Sequence, residues 1–509
     1  MLASAVPVVP APAAAVILTR PVRRSASRTP GTREILLVER AEEQVFLGGF
    51  ACFPGGRRDP GDAAVKVIAA DGAAAATVTT AARELFEETG VLVGRGAEAV
   101  SATDLAAARA QVLDRSRSFG AVLESLGVRL DAALFAPAGH WVTPAYVPIR
   151  FDTQYFLAAL PAGQQAHVVR GELETERWLT VAEALQGFEH AEVLLPPPVL
   201  YALCAFGDGD DGAAARLQAA PDRHAPAEQA RIFELAPGIV CVALATPTLP
   251  PARFTNCYVL GTDPAVIVDP GSPYPAEQAA LDDALALLAA RGTRVREVIL
   301  THHHPDHVGG AAYLRARHGL PVAAHADAAA RLHAVVAVDR LLGDDEVIAL
   351  PGKPARRLRV VATPGHAPGH VVLLEEETLA LCTSDLLATH GFIIVDPDDG
   401  GDMTVYLESL RRARGLGARL LLPAHGLPSR RVATRFDAYL EHRLAREAQV
   451  LAALRAQRGA VAADALLPHA YADTPQVMWP FAVCSLRAHL IKLEREGQVA
   501  QTDAGWTAT

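Results

Sequence analysis

Residues 298–307 read VILTHHHPDH. Val298, Ile299 and Leu300 form a short apolar run of the kind that makes a buried strand, so the polar residues that follow lie on a loop at the strand's carboxyl end, where α/β folds commonly build their ligand sites. Neutral imidazoles and a carboxylate suit zinc or a similar divalent ion. Alternate placement lets His302 and His304 point the same way, and Asp306 and His307 can then face a second ion. A chance run of histidines on a solvated loop would account for this stretch alone, but not for the residues that follow it.

Four further signals lie around it. Asp269 ends the apolar run Val266-Ile267-Val268, His366 lies in TPGH, Asp385 follows Leu379 to Thr383, and His425 lies in LLPAHG. These residues, in this order, resemble the metallo-β-lactamase fold superfamily from Ile232 to Ala433. The resemblance implies an αβ/βα sandwich in which His302, His304 and His366 hold one ion, Asp306, His307 and His425 hold the other, and Asp385 bridges them. The ions would be two Zn²⁺, or Fe or Mn, with Asp306 also serving catalysis and Asp269 standing behind the ligands. Such a pair acidifies water toward neutrality for attack on a carbonyl or phosphorus. His303, His325, His370 and His390 fall off the pattern and are left out of the ligand set. Ser384 stands where the family usually has glycine.

Upstream, FPGGRRDPGD (Phe53 to Asp62) precedes RELFEETGV (Arg83 to Val91). On a helix Glu84, Glu87 and Glu88 fall at i, i+3 and i+4, so three carboxylates crowd one face and repel unless a hard cation such as Mg²⁺ or Mn²⁺ joins them. The whole resembles the Nudix box, over a region from Ala14 to Phe206, and implies an α/β/α sandwich. Glu84, Glu87 and Glu88 would bind metal, the latter two acting in catalysis. The Gly55 carbonyl and Glu172 would assist, and Arg83 would orient the carboxylates. Two departures stand out: Asp62 takes the place of the first glutamate, and 20 residues rather than seven separate it from Arg83, an insertion of 13. Leu36 to Gly56 keeps the spacing of the coenzyme A diphosphatase signature through Arg40, Ala41, Gly49 and FPGG, with Val38 and Val45 replacing its threonine and second arginine. HWVTP (140–144) and RFDTQYF (150–156) resemble the same enzymes.

Past Tyr439 the chain changes again. YLEHRLAREAQVL (439–451) and YADTPQVMWP (471–480) resemble the winged-helix segment appended to a subgroup of the metallo-β-lactamase proteins. In the helix expected at Ser485 to Glu496, Arg487, His489, Lys492 and Arg495 are interleaved with Glu494 and Glu496, a weak footprint for nucleic acid. Packing or shaping of a substrate cleft is the favoured role, and Trp479 is read as a core anchor. The expected organisation is an α/β multidomain chain: a Nudix-like domain at 1–206 with its box at 55–91, a linker at 207–231 rich in Gly, Asp, Pro and Ala, a metallo-β-lactamase-like domain at 232–437, and a small winged-helix domain at 438–509.

Composition bounds the functions. At 509 residues several domains are expected. The net charge of −10 provides no overall basic field for nucleic acid. Six scattered cysteines without a C-x-x-C pair suit a reducing cytoplasm, and neither a signal peptide nor a membrane span is legible. Walker A, G-x-S-x-G and dinucleotide fingerprints are absent. The expectation is a bifunctional metal-dependent hydrolase of small molecules, cutting a nucleoside diphosphate derivative such as one of coenzyme A at one site and a thioester or ester at the other. A metal-dependent endoribonuclease and a nucleotide-sensing DNA-binding regulator are the alternatives.

Overall fold

A computed structural model describes residues 8–22, 32–144, 149–207, 212–220 and 231–509. The chain forms two compact units that divide between residues 229 and 230.

In the first unit a mixed sheet runs in the order Ala51–Cys52, Arg33–Arg40, Ala11–Pro21, Phe151–Ala159, Ala136–Val142, with Gly55–Arg57 added to the third of these and Leu173–Thr180 to the second. The helix Gly72–Thr89 lies on one face. Val78, Ala81, Ala82, Leu85 and Phe86 recur at helical spacing and are buried against Ala14, Val16, Leu18, Leu36 and Val38 of the sheet. Full burial of side chains such as Leu85 and Phe86 contributes about 1.5–3 kcal/mol each. That packing fixes the helix's rotation and leaves Glu84, Glu87 and Glu88 on its less buried face. Gly90 stops the helix in the left-handed region, φ +75°, its N–H returning to the Phe86 carbonyl at 2.8 Å.

The second unit packs two sheets with helices outside. Seven strands run from Ile232–Ala236 to Arg340–Leu342, in sequence order, and become parallel from Ala265–Val268 onward. Five more, Val347–Leu350 to Leu420–Pro423, form the second sheet. The strands Ala265–Val268 and Ala380–Ser384 are buried at every position, which explains why they read as unbroken apolar runs. Helices Pro275–Ala290 and Ala311–His318 bury Leu281, Leu288 and Leu314 with the first sheet, and Met403–Arg414 buries Leu407 and Leu410 with the second. This is the αβ/βα sandwich expected.

The carboxy-terminal segment carries Leu467–Ala470, the helix Trp479–Arg495 and an antiparallel hairpin, Val499–Thr502 with Gly505–Ala508. Val450, Leu454, Leu486, Leu490, Leu493 and Trp506 form its core. Two expected boundaries look different in the structure. The helix Val432–Arg455 runs straight through 437/438, because Phe436 and Tyr439 on it pack on the sandwich while Val450 and Leu454 pack on the terminal core. Of the expected linker, 208–211 and 221–230 lie outside the described residues, whereas 213–220 is helical. Ala213, Leu217 and Ala220 are buried at i, i+4 and i+7, and Gln218 donates to the Pro137 carbonyl at 2.9 Å, so this stretch belongs to the first unit. Among the described residues no helix is long and apolar enough to cross a membrane.

Candidate metal centres

The strand Val295–Leu300 delivers Thr301 and the histidine run to the edge of the sandwich, and Pro305 opens a single helical turn, Pro305–Val308, that carries Asp306 and His307. Three further loops complete the cluster with His366, Asp385 and His425. All seven expected ligands come together. The ligand atoms of His302, His304, His366 and Asp385 lie within 4.8 Å of one another, as do those of Asp306, His307 and His425. The two groups meet at Asp385, whose Oδ2 is 3.6 Å from His366 Nε2 and whose Oδ1 is 3.4 Å from His307 Nε2 and 3.3 Å from His425 Nε2.

Each ring is turned so that one nitrogen faces inward. Carbonyls cannot donate, so His366 Nδ1–H must donate to the Ile394 carbonyl (2.7 Å) and His425 Nδ1–H to that of Phe254 (3.0 Å). His307 Nδ1 donates to Asp269 (2.8 Å), and His302 Nδ1 meets the Thr301 hydroxyl (3.0 Å), which itself donates to Asp269 (2.7 Å). His304 is reversed. Its Nε2 donates to Asp399 (2.7 Å), leaving Nδ1 to meet His302 Nε2 at 3.1 Å and His366 Nε2 at 3.0 Å. Outward nitrogens tied in this way fix the tautomers and aim lone pairs at a common point.

Zinc fits these donors. Nitrogens about 2.0–2.1 Å from a tetrahedral zinc stand roughly 3.3 Å apart, close to the spacings just given. His307 Nε2 and Asp385 Oδ1 are buried and have no hydrogen-bond partner among the described residues, an arrangement that costs free energy unless a cation lies between them. Burial and neighbouring imidazoles hold His302 well below the usual histidine range and His366 at about 3, so both are neutral donors. Burial pushes His425 the same way, but Asp385 and Asp306 outweigh it and raise the ring to about 10. Without a cation, protons take its place beside these carboxylates.

Several supporting residues were not singled out by pattern. Ser384 adopts φ +45°, a strained conformation for a residue with a side chain, yet its hydroxyl reaches Asp269 (3.0 Å) and Thr301 (2.7 Å). His370, excluded as off pattern, is fully buried beside His302 and bonds Thr363 without entering either ligand group. Asp399, on the turn Pro397–Asp399, is held well below the usual carboxylate range by His303 and His304. Its segment is anchored from behind by the carboxy-terminal helices: Arg443 donates to the Ile393 carbonyl, Val395 N to Ser485 Oγ (3.3 Å), Arg487 to Asp398 (2.5 Å) and Arg495 to Asp402 (2.5 Å).

In the first unit Arg83 is the hub. Its Nε and Nη2 bind the two Asp62 oxygens at 2.8 and 3.1 Å, and its Nη1 binds Glu84 at 2.9 Å and Glu87 at 3.0 Å. Asp62 therefore reaches Arg83 across the insertion, much of which is absorbed by the helix itself beginning at Gly72. Glu88 accepts from Gly55 N–H at 2.9 Å, so here the Gly55 amide, not its carbonyl, meets the acidic face. A Cβ on Gly55 would run into the Ala14 carbonyl oxygen and stand 2.5 Å from Ala15 Cα, backbone atoms that cannot give way, which is why the turn needs glycine there. Burial raises Glu84 to about 7 despite Arg83, and together with the neighbouring Glu84 raises Glu88 well above the carboxylate range. A buried acidic face of this kind suits a hard cation. Among the described residues these three carboxylates do not gather as tightly as the groups of the second unit. Glu172 pairs with Arg40 at 2.9 Å and is 61% exposed.

Residues 250–425 match the metallo-beta-lactamase superfamily, 71–206 the NUDT19 Nudix domain, and 462–506 the beta-lactamase associated winged helix domain. Beta-lactamase-like protein 2 homolog of Caenorhabditis elegans is 28% identical over 254 residues, 48% of this chain and 80% of its own. Lactamase-like protein vrtG of Penicillium aethiopicum is 30% identical over 226 residues, 44% of this chain and 68% of its own. Atrochrysone carboxyl ACP thioesterase of Aspergillus fumigatus is 31% identical over 223 residues, 43% of this chain and 66% of its own. With its ligand cluster at the edge of an αβ/βα sandwich, the chain belongs to the metallo-beta-lactamase superfamily and is a hydrolase, with a Nudix domain before that fold and a winged helix after it.

Proposed function

We propose that the second unit hydrolyses a thioester, or a related ester, at a pair of divalent ions, and that the first hydrolyses the diphosphate of a coenzyme A derivative or similar nucleotide with Mg²⁺ or Mn²⁺. The observation that carries the first half is the buried pair His307 Nε2 and Asp385 Oδ1, which lack a hydrogen bond and stand 3.4 Å apart where the two ligand groups meet. His302, His304 and His366 would hold one zinc ion, Asp306, His307 and His425 the other, and Asp385 both. The ions would supply Lewis acidity and an acidified water. The chain's own work is to hold five imidazoles in one tautomer each, through Thr301, Asp269, Asp399 and the carbonyls of Ile394 and Phe254, and to keep Asp306 ionised. A relative named as an acyl carrier protein thioesterase supports thioester chemistry over other acyl substrates.

For the first half, Glu84, Glu87 and Glu88 would bind the cation and Arg83 would keep Glu84 and Glu87 aimed. The partial coenzyme A diphosphatase signature and the NUDT19 Nudix match support the substrate class. Six free thiols support a reducing, cytoplasmic setting. RNA is disfavoured as a substrate: Arg487 and Arg495 are paired with Asp398 and Asp402, and Lys492 with Glu447 and Glu496, so the winged helix's basic side chains are spent within the chain. Full-length protein with Zn²⁺ and Mg²⁺ should cleave acyl thioesters and coenzyme A while leaving single-stranded RNA intact. Inertness toward every thioester and ester of a broad panel would refute the first half, and inertness toward coenzyme A and dinucleoside polyphosphates the second.

A further inference from the structure

A cavity of about 520 Å³ lies within the second unit, between the terminal helices and the sandwich. Small-molecule sites typically enclose ~300–1,000 Å³. Phe392 and Ile394 form one wall, Tyr439 of the helix Val432–Arg455 a second, and Met478, Phe481 and Ala482, at the start of Trp479–Arg495, a third. Ile394 is also the residue whose carbonyl holds His366. Pro251, also in the lining, is three residues from Phe254, whose carbonyl holds His425. The cavity is thus lined by the residue that anchors His366 and lies close in sequence to the one that anchors His425.

Most of its polar groups are engaged, but the Tyr471 hydroxyl and Arg443 Nε are buried without a hydrogen-bond partner among the described residues. Arg443 donates to the Ile393 carbonyl and lies over Tyr406; Arg446 binds Asp473 at 2.9 and 3.0 Å and lies 4.3 Å over Tyr471. The Tyr439 hydroxyl is used by Ala388 and that of Ser485 by Val395. Burial and the adjacent guanidiniums hold His442 below its ordinary value, hence neutral at physiological pH. What these walls offer a ligand is chiefly apolar contact, with the Tyr471 hydroxyl and Arg443 Nε left to meet a polar end.

We propose that this cavity is the acyl site: it takes the hydrocarbon chain of an acyl thioester while the thioester carbonyl lies at the metal centre. This rests on the thioester reading above. In the reaction the oxygen of water bonds to the acyl carbon, the carbon–sulfur bond breaks, and one proton of that water goes to the departing sulfur. No other reactant is needed, and the acid leaves by the cavity that received it. The winged helix then serves as a wall that reads chain length.

Two measurements on full-length protein test this. In the first, kcat/KM is compared from acetyl to palmitoyl thioesters for wild type, Ala482→Trp and Met478→Ala. Ala482→Trp should cut the palmitoyl-to-acetyl ratio about tenfold or more, as expected when roughly two methylenes lose their contacts, and Met478→Ala should shift preference toward bulkier chains. In the second, a fluorescent fatty acid is titrated without any substrate. Wild type should bind it and Ala482→Trp, shown folded by circular dichroism, should bind at least tenfold more weakly. Binding that Ala482→Trp abolishes, without cleavage of any thioester, would sustain the cavity and sink the thioester reading. Unchanged chain-length ratios and unchanged probe binding in both variants would overturn the proposal, as would displacement of the probe by a single-stranded oligonucleotide.

Discussion

The two candidate metal-binding regions are built on opposite plans. In the first unit one helix supplies Glu84, Glu87 and Glu88, and one arginine organises Glu84 and Glu87; in the second, four loops separated by up to 123 residues, from His302 to His425, supply seven candidate ligands, of which the five imidazoles are each steadied by a partner of their own. A single helix makes like charges neighbours by geometry, so the site is acidic and uncomfortable before any cation arrives. Dispersed loops let each imidazole be turned individually, so the second site is arranged in advance and leaves two atoms unpartnered where the groups meet. The strain lies in charge repulsion relieved by one hub in the first unit, and in desolvation of two buried atoms that lack a hydrogen bond in the second.

If the sites are independent, the largest effect is cross-inactivation. His302→Ala should abolish thioester cleavage and spare diphosphate cleavage, and Glu87→Gln should do the reverse; loss of both activities in either variant breaks the comparison. Next comes the hub. Asp62→Asn removes one partner of a nearly buried ion pair and should destabilise the first unit by about 3 kcal/mol, near the lower end for such losses, visible as an earlier urea transition. No shift would mean that Arg83 does not need Asp62.

A smaller effect separates ligand from support. Asp399→Asn should weaken zinc binding roughly 10–100-fold, the usual range for residues that orient a ligand, read by competition with a chromogenic chelator. Unaltered affinity would show that His304 needs no anchor. The smallest effect is on pH. Glu84, ordinarily at 4.5, stands at about 7 in the folded chain because burial disfavours its charge. A raised folded value means the folded state holds the proton more tightly, so metal-free first unit should lose stability as pH rises from about 4.5 to about 7. Thermal melts in EDTA should show that decline, Mg²⁺ should reduce it, and Glu84→Gln should flatten it.

The acidic face was legible because helical periodicity converts E-x-x-E-E directly into neighbours, and the direction of Gly90 as a stop follows from its freedom to adopt positive φ. The candidate ligands that the second unit gathers were legible because His302, Asp385 and His425 sit just after strands that read as apolar runs. The boundary at 437/438 was not, since amphipathicity cannot say that one helix will bury its two ends in different cores. Nor was Asp399, which reaches His304 from a turn 95 residues away; Ser384 stood out as a departure from glycine, but not the hydroxyl it places on Asp269.

Sequence by itself determined the three folds in their order, the ligand types, and the spacing that puts three carboxylates on one helix, because those follow from local periodicity and from chemistry carried by single residues. Tertiary structure alone decided which nitrogen of each histidine faces inward, that Asp62 still meets Arg83 across its insertion, and that the terminal helices clamp residues 393–402 and wall a cavity lined by Ile394, the residue that anchors His366. Those outcomes depend on distances between segments far apart in the chain, and such distances are set only when the cores pack.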